Sequence, residues 1–335
     1  MIGRGAAIFG CEGLVLRQAE RDFFRDYDPF GFIIFARNVD TPDQLRALTA
    51  ELRESVGRDA PILIDQEGGR VQRLRAPHWR DWAPPLDTVQ QAGGRAIRAM
   101  ELRSMVIAAE LRAVGIDTNC APVADIAGAD THPFLRNRCY GQDVETVTEI
   151  ARAVADAHLE MGVLPVVKHM PGHGRSINDT HLDLPTVMTD RATLNATDFA
   201  PFRALADLPM AMTAHIVFAA YDTRPATQSR EMIRVIREDI GFQGLLMTDD
   251  LNMQALSGSL ADRTFRSIEA GCDIALHCKG YLAEMQAVAG AAGEMTAACR
   301  SRAATALSQR RPANSVDIAA LEAEFCALVS EGVHG

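Results

Sequence analysis

The sequence predicts an α/β fold, a single (β/α)8 TIM barrel, and two features carry that prediction. Eight short apolar runs recur along the 335 residues, each followed by polar or glycine-rich residues and then by a longer amphipathic stretch. This alternation is typical of parallel α/β proteins, and eight strands close such a barrel. No further strand pattern follows the eighth run, so we do not expect a second α/β domain.

The predicted strands are short runs rich in branched and aromatic residues. They are AAIF (6–9), FIIF (32–35), PILI (61–64), TNCAPV (118–123), VLPVV (163–167), MAMTAHI (210–216), GLLMT (244–248) and DIALHC (273–278).

The segments between the runs have apolar residues at helical spacing, for example from 42, from 95 and from 143. Thr41, which precedes Pro42, and Ser229 are expected N-caps. The chain beyond 280 is alanine-rich and predicts additional C-terminal helices. We therefore expect one domain over 1–335, with the barrel over about 5–280 and a helical extension over 281–335.

Composition excludes several classes of function. The chain is 47% hydrophobic and carries a formal net charge of -10, which disfavours nucleic-acid and anionic-membrane partners.

Glu12 interrupts the apolar start, and no long apolar run follows, so we expect neither a secretory signal nor a membrane span, and hence a cytoplasmic protein. Seven scattered cysteines without a CxxC pair predict reduced, buried thiols and no thiolate zinc site.

Polar residues follow several of the apolar runs directly. Because the carboxyl ends of barrel strands surround the active site, these residues are the first candidates for chemistry. They are the segments 65–70 and 168–174, His215, and the pair Asp249 and Asp250.

Asp249 is the better candidate of its pair for a nucleophile. It follows LLMT directly, so its carboxylate is expected at the barrel mouth, where it could attack an electrophilic carbon. Asp250 precedes LNMQAL and is equally compatible with a helix N-cap.

Asp179 and His181 stand two residues apart in the long segment PGHGRSINDTHLDLP. This spacing can place both side chains on one face of an extended chain, where the carboxylate would orient the imidazole and raise its pKa. His181 could then donate a proton near neutral pH. A solvated loop with an Asx turn remains the alternative interpretation.

Four ordered motifs resemble one known family. KHMPGHGRSINDTHLDLP, LLMTDDLNM, DQEGGRVQR (65–73) and RNRCYG (136–141) are similar to the signatures of family 3 glycoside hydrolases, and most similar to the bacterial β-N-acetylhexosaminidases of peptidoglycan recycling. The resemblance covers about 5–280. Met170, Thr180, Thr248 and Asn252 depart from the family's usual residues, and none of these departures removes a reactive group.

The resemblance implies roles for eight residues. It makes Asp249 the nucleophile, His181 the general acid and base, and Asp179 the partner of His181. It assigns the binding of the sugar to Asp65, Arg73, Arg138, Lys168 and His169, although a core role for His169 stays open.

The resemblance also implies a reaction. It is the removal of terminal N-acetylglucosamine, with retention, from N-acetylglucosamine-1,6-anhydro-N-acetylmuramic acid muropeptides in cell-wall recycling. The partner is then a small saccharide or muropeptide, without cofactor or metal, and we expect a monomer.

Three alternatives stay open at this level. A neutral imidazole in the second step would tolerate an anionic acceptor, so phosphorolysis competes with hydrolysis. His169, His173 and His181 could hold a metal. A sugar-binding protein without turnover would need the same polar mouth, and Trp79 and Trp82 could stack on a sugar or pack in the scaffold.

Overall fold

The chain, seen in a computed structural model, forms ten strands over the residues that the structure describes, which are 1–176, 184–312 and 314–331. The strands are β1 (Gly5–Gly10), β2 (Pro29–Ile34), β3 (Ile62–Ile64), β4 (Thr118–Asn119), β5 (Leu164–Met170), β6 (Thr186–Val187), β7 (Met210–Thr213), β8 (Val217–Phe218), β9 (Leu245–Met247) and β10 (Ala275–His277).

Eight of these strands form one parallel sheet in the order β10-β1-β2-β3-β4-β5-β7-β9. A parallel bridge between Met247 and Ile274 joins the two ends, and the Thr248 N–H donates to the Ile274 carbonyl at 3.0 Å. Every one of the eight predicted runs contributes a strand, so the predicted TIM barrel is confirmed. The two-residue strands β6 and β8 pair outside the barrel.

Helices cover the outside of the barrel. They are α1 (Gln18–Tyr27), α2 (Pro42–Val56), α3 (Pro85–Ala92), α4 (Ala96–Ala113), α5 (Pro133–Arg136), α6 (Val144–Glu160), α7 (Arg191–Ala196), α8 (Ala200–Ala204), α9 (Arg230–Arg234), α10 (Leu260–Ala270), α11 (Leu282–Ala292), α12 (Ala297–Ser308) and α13 (Ile318–Glu331).

The two predicted N-caps are confirmed. The Thr41 side chain accepts a hydrogen bond from the Gln44 N–H, and the Ser229 side chain accepts one from the Met232 N–H. Each cap supplies an acceptor to a backbone donor that has no partner within its own helix.

The C-terminal helices pack on the barrel wall. Phe325 of α13 lies edge-on against Trp82 with ring centroids 5.2 Å apart, and Arg98 of α4 pairs with Glu324 at 2.8 Å. Trp79 and Trp82 are buried and serve the scaffold. Six cysteines are buried and free, whereas Cys326 is exposed on α13, so the prediction of buried thiols is wrong for that residue.

The segment that follows β9 is not a helix over LNMQAL. Residues 251–256 form turns, and α10 begins at Leu260. Asp250 therefore caps a turn, and its carboxylate accepts the N–H groups of Asn252 and Cys278 at 3.0 and 3.2 Å. Within the described ranges, the helices are all too short or too polar to cross a lipid bilayer.

Candidate active site

A cavity of about 360 Å³ opens at the carboxyl ends of the barrel strands. Six of the eight predicted site residues lie in described parts of the chain, and all six line this cavity; they are Asp65, Arg73, Arg138, Lys168, His169 and Asp249. Asp179 and His181 fall in 177–183, outside the described residues. The barrel thus brings together side chains that are far apart in sequence, since Asp65 and Asp249 are separated by 184 positions.

Lys168, near the end of β5, forms ion pairs with two carboxylates. We call the charged groups of Asp65, Glu67, Arg73, Arg138 and Lys168 the floor of the cavity. Its Nζ lies 2.8 Å from Asp65 Oδ1 and 2.6 Å from Glu67 Oε1. The Lys168 side chain is only 2% exposed, so the ammonium has little access to bulk water and depends on these oxygens.

Arg138 completes the floor from the other side of Glu67. Its Nε and Nη2 each donate to the Glu67 carboxylate at 2.8 Å, which is a bidentate pair. Nη2 also lies 3.3 Å from Nε2 of His169. Glu67 therefore holds two cations, and the sequence interpretation did not single it out.

The pKa values of the floor groups follow from this pairing. Burial alone would raise the pKa of Asp65, but the charges of Lys168 and Arg73 outweigh it and hold that pKa below its usual range. Burial likewise opposes ionisation of Glu67, yet Arg138 and Lys168 lower its pKa to about 2. Both carboxylates are thus ionised at neutral pH.

Asp125 is a residue that the sequence interpretation missed. It is fully buried, and its Oδ2 lies 2.7 Å from Nδ1 of His169. Its Oδ1 accepts the backbone N–H of His173 at 2.7 Å. Because Asp125 orients His169, the interpretation of His169 as a core histidine without a role in the site is the less well supported one. The sequence signal that could have identified Asp125 is its position, two residues after the fourth apolar run.

A tight hairpin presents Asp65 and Arg73. The Gly68 N–H donates to the Val71 carbonyl at 3.1 Å, and Gly68 has a φ of 105°, in the left-handed region that glycine tolerates. A Cβ on Gly68 would lie 1.8 Å from Nη2 of the buried Arg103. Glycine is therefore required both by backbone conformation and by the close approach of Arg103.

Asp249 lies at the end of β9, as the sequence predicts, and lines the cavity. One carboxylate oxygen, Oδ1, accepts the Asp250 N–H at 2.7 Å. Burial would raise the pKa of Asp249, but the imidazoles of His215 and His169 and the Asp250 N–H lower it below its usual value. An ionised carboxylate facing a cavity can act as a nucleophile.

Burial raises the pKa of Asp250 to about 6. The two adjacent aspartates therefore differ in protonation behaviour. Environments that separate the pKa values of neighbouring carboxyl groups are typical of sites with distinct roles.

Two further histidines lie beside the cavity. Burial lowers the pKa of His173 to about 4, and burial also lowers the pKa of His215. His215 bonds Thr227 Oγ1 at 2.8 Å and the Asp250 carbonyl at 3.1 Å, so it supports the loop that carries Asp249. In the described ranges, no cluster of three or more His, Cys, Asp or Glu residues has an arrangement suited to a metal ion.

The comparison with known families decides the classification. The sequence model described as "Glycosyl hydrolase family 3 N terminal domain" matches residues 12–305. The chain belongs to glycoside hydrolase family 3. The resemblance read from the four motifs is thereby confirmed over most of the chain.

Two curated relatives of this family 3 enzyme are named beta-hexosaminidase. A protein of Methylococcus capsulatus named beta-hexosaminidase is 38% identical over 278 residues, which cover 81% of this chain and 82% of the relative. A beta-hexosaminidase of Alkalilimnicola ehrlichii is 38% identical over 82% of this chain and 80% of its own length. The predicted enzyme class, a β-N-acetylhexosaminidase, is confirmed by these relatives.

Solved structures agree with the fold. Native NagZ from Neisseria gonorrhoeae superimposes with a TM-score of 0.83 at 31% identity, covering 98% of this chain and 97% of that one. A family 3 beta-N-acetylglucosaminidase from Paenibacillus sp. has a TM-score of 0.85 at 28% identity, and this chain spans 66% of its length.

Proposed function

We propose that this family 3 enzyme removes a terminal N-acetylglucosamine from peptidoglycan fragments by double displacement, with retained configuration. The proposed substrates are N-acetylglucosamine-1,6-anhydro-N-acetylmuramic acid muropeptides, cleaved in the cytoplasm during cell-wall recycling by a chain that acts as one domain. The observation that carries the chemistry is the position of Asp249, an ionised carboxylate at the end of β9 that faces a cavity with a polar floor.

In the proposed first step, Asp249 attacks the anomeric carbon and forms a glycosyl-enzyme ester. The Asp250 N–H on Oδ1 leaves the other carboxylate oxygen, Oδ2, for the attack. The bond from the anomeric carbon to the departing oxygen breaks as the new bond to Asp249 forms. The lowered pKa keeps the carboxylate ionised over the neutral range, which a nucleophile requires.

His181, oriented by Asp179, would protonate the departing oxygen and then deprotonate the water that cleaves the ester. Both residues lie outside the described part of the chain, so these roles rest on the sequence motif.

The floor is suited to an uncharged sugar unit. Asp65 is paired with Lys168 and Arg73, and Glu67 is paired with Lys168 and Arg138. Paired charges of this kind offer both donors and acceptors to the hydroxyl groups of a sugar. We propose that Asp65, Arg73, Arg138, Lys168 and His169 hold the hydroxyls of the sugar whose bond is cleaved.

One assay with paired substrates tests the proposal. Rates are compared on an aryl N-acetyl-β-glucosaminide and on the matching aryl β-glucoside, for the natural enzyme and for Asp249→Ala. We expect a clear preference for the acetamido sugar and a loss of at least about a thousandfold in Asp249→Ala. His181→Ala should lose about a hundredfold or more on poor leaving groups and much less on activated aryl groups.

Several outcomes would contradict the proposal. Turnover that survives in Asp249→Ala would exclude that residue as the nucleophile. Equal losses in His181→Ala on good and poor leaving groups would exclude the acid role. A sugar 1-phosphate formed when phosphate is added would identify phosphorolysis instead of hydrolysis. Labelling of Asp249 by a 5-fluoro glycosyl donor, read by mass spectrometry of the peptide, would support the covalent step.

A further inference from the structure

A buried arginine lies behind the hairpin that carries Asp65 and Glu67. Arg103 belongs to α4 and is 1% exposed, so its guanidinium has almost no contact with water. Nη1 donates to Thr88 Oγ1 and Nη2 donates to the Glu67 carbonyl, both at 2.6 Å. Both of these acceptors are neutral oxygens. Burying a cation against neutral acceptors is costly, so the position of Arg103 calls for a reason other than stability.

Arg103 keeps its charge in this position. Burial lowers the pKa of Arg103 to about 10, which still leaves the guanidinium protonated at neutral pH. The guanidinium lies over the ring of Trp82, with its carbon 5.4 Å from the ring centroid, an arrangement that stabilises a cation. The N–H donors of a guanidinium form a rigid, planar fork. Arg103 therefore presents fixed donors to its two acceptors.

The acceptor of Nη2 belongs to a peptide group whose orientation must be fixed from outside. This peptide joins Glu67 to Gly68, and its N–H donates to the Val71 carbonyl at 3.1 Å. Gly68 and Gly69 have φ of 105° and 59°, and glycine permits several backbone conformations here. The bond from Arg103 holds the carbonyl of the same peptide group. Arg103 therefore favours one conformation at the start of the hairpin.

The conformation of this peptide decides where the Glu67 side chain points. Glu67 Oε1 lies 2.6 Å from Nζ of Lys168, and the carboxylate accepts two bonds of 2.8 Å from Arg138. A shift of about 1 Å would break these contacts, because hydrogen bonds and ion pairs of this kind need short distances. Arg103 itself lies outside the cavity lining, so its influence reaches the substrate through Glu67.

We propose that Arg103 is a positioning residue of the glycosidase reaction, which acts through the Glu67 peptide and thereby sets the carboxylate that orients Lys168 and Arg138. This inference rests on the proposed function, because that function assigns the hydroxyls of the cleaved sugar to Lys168 and Arg138. It adds a residue on an outer helix, 36 positions from Glu67 in the sequence, to the groups on which sugar binding depends.

A double-mutant cycle tests the inference. kcat and KM on an aryl N-acetyl-β-glucosaminide are measured for the natural enzyme, Arg103→Met, Glu67→Gln and the double variant, each corrected for its folded fraction by denaturant titration. We expect Arg103→Met to lower kcat/KM about a hundredfold, mainly by raising KM, because Asp249 stays in place. Glu67→Gln should lower kcat/KM by a similar factor. In the Glu67→Gln background, Arg103→Met should cost at most about threefold, since no carboxylate remains to be positioned.

Arg58→Met is the matched control for the loss of a buried arginine. The Arg58 side chain is 3% exposed, pairs with Asp28 at 2.9 Å and donates to the Phe30 carbonyl at 3.3 Å, at the start of β2 and thus at the amino end of the barrel. Arg58→Met should destabilise the protein, but kcat and KM per folded molecule should stay within about twofold of the natural values. If Arg103→Met does not fold, Arg103→Lys carries the same cycle, with an expected loss of about tenfold, because one ammonium does not reproduce the guanidinium fork.

The outcomes separate this inference from the proposed function. Equal losses from the Arg103 variant in the natural and the Glu67→Gln backgrounds would overturn the inference alone, as would an Arg103 variant whose kinetics match those of Arg58→Met. A Glu67→Gln variant with the natural kcat/KM would contradict the proposed role of the floor in sugar binding, and both proposals would fail. A loss that shrinks in the Glu67→Gln background, with KM rising more than kcat falls, would support the positioning role.

Discussion

The two ends of the barrel use the same kind of ion pair for different purposes. At the carboxyl end, Asp65 is paired with Lys168 and Arg73 and still faces the cavity, with 15% of its side chain exposed. At the amino end, Asp273 is paired with Arg237 and Arg302 at 2.7 and 2.5 Å, with 3% of its side chain exposed.

The difference lies in what encloses each carboxylate. Asp273 also accepts the Leu246 N–H at 3.0 Å, so its oxygens are shared among groups of the protein itself. Asp65 borders open space, where a ligand can reach it. This contrast agrees with the general division of barrels into a functional carboxyl face and a stabilising amino face.

The amino-end pairs also attach the C-terminal extension. Arg302 belongs to α12, and Arg310, two residues beyond that helix, pairs with Asp117 at 2.9 Å. Asp117 accepts the Ile62 N–H at 2.8 Å, next to β3. Each of these carboxylates therefore connects the barrel to the part of the chain that comes after the last strand.

Asp273→Asn is expected to have the largest effect, and it tests the stabilising end. The change leaves two arginines without their shared anion, so the free energy of unfolding should fall by about 3 kcal/mol, near the lower end for a buried pair because Arg302 is partly exposed. Denaturant titration measures the loss. Activity per folded molecule should be unchanged, and a large fall in kcat would contradict the structural assignment.

Asp65→Asn is the matched change at the functional end. It keeps the shape of the side chain but removes the charge that Lys168 and Arg73 share, so we expect kcat/KM to fall about a hundredfold. The free energy of unfolding should fall much less than in Asp273→Asn, because Lys168 keeps Glu67 as a partner at 2.6 Å. Steady-state kinetics and the same titration check both points. Equal destabilisation in the two variants would remove the distinction between the ends.

Glu110→Gln should have the smallest effect and concerns a carboxyl group on the flank of the barrel. Its Oε1 accepts the Arg80 N–H at 3.3 Å, while Oε2 is buried without a hydrogen bond in the described part of the chain. Burial raises the pKa of Glu110 to about 7. The folded state thus keeps a proton that the unfolded chain releases above about 4.3.

The sign of the pH dependence follows from this shift. As pH rises from about 4 to 7, the unfolded state binds fewer protons than the folded state, so Glu110 makes the protein less stable. The full shift would correspond to roughly 3 kcal/mol at pH 8, but Glu110 is only partly buried and solvent screens the effect. Glu110→Gln should therefore be more stable than the natural protein by about 1 kcal/mol at pH 8 and equally stable at pH 4. Denaturation midpoints at the two pH values measure this, and a difference that does not depend on pH would refute the assignment.

Much of the fold could be predicted because strand and helix signals are local. The run PILI and the segment 42–56 each carry their periodicity within a few residues, and Thr41 and Pro42 mark a helix start on their own. Several residues of the candidate site could be predicted from the sequence for a related reason. Lys168, His169 and Asp249 follow apolar runs directly, and the carboxyl ends of barrel strands converge.

The partners within the site were not predictable in the same way. Asp125 follows the fourth run, but nothing in its neighbourhood indicates that it bonds His169, 44 residues further on. Glu67 stood among the strand-end residues, yet its hold on both Lys168 and Arg138 depends on three separate loops. Turns over 251–256 stand where a helix capped by Asp250 was expected, and the Asp250 carboxylate instead accepts the N–H of Cys278, which follows the neighbouring strand β10.

The sequence by itself determined the barrel, the family and the residues that carry reactive groups, since these depend on local periodicity and on short ordered motifs. Tertiary structure decided which charges neutralise one another and which carboxylate stays open to a ligand. The physical reason is that burial and charge pairing depend on distances between segments far apart in the chain, and those distances exist only once the barrel has closed.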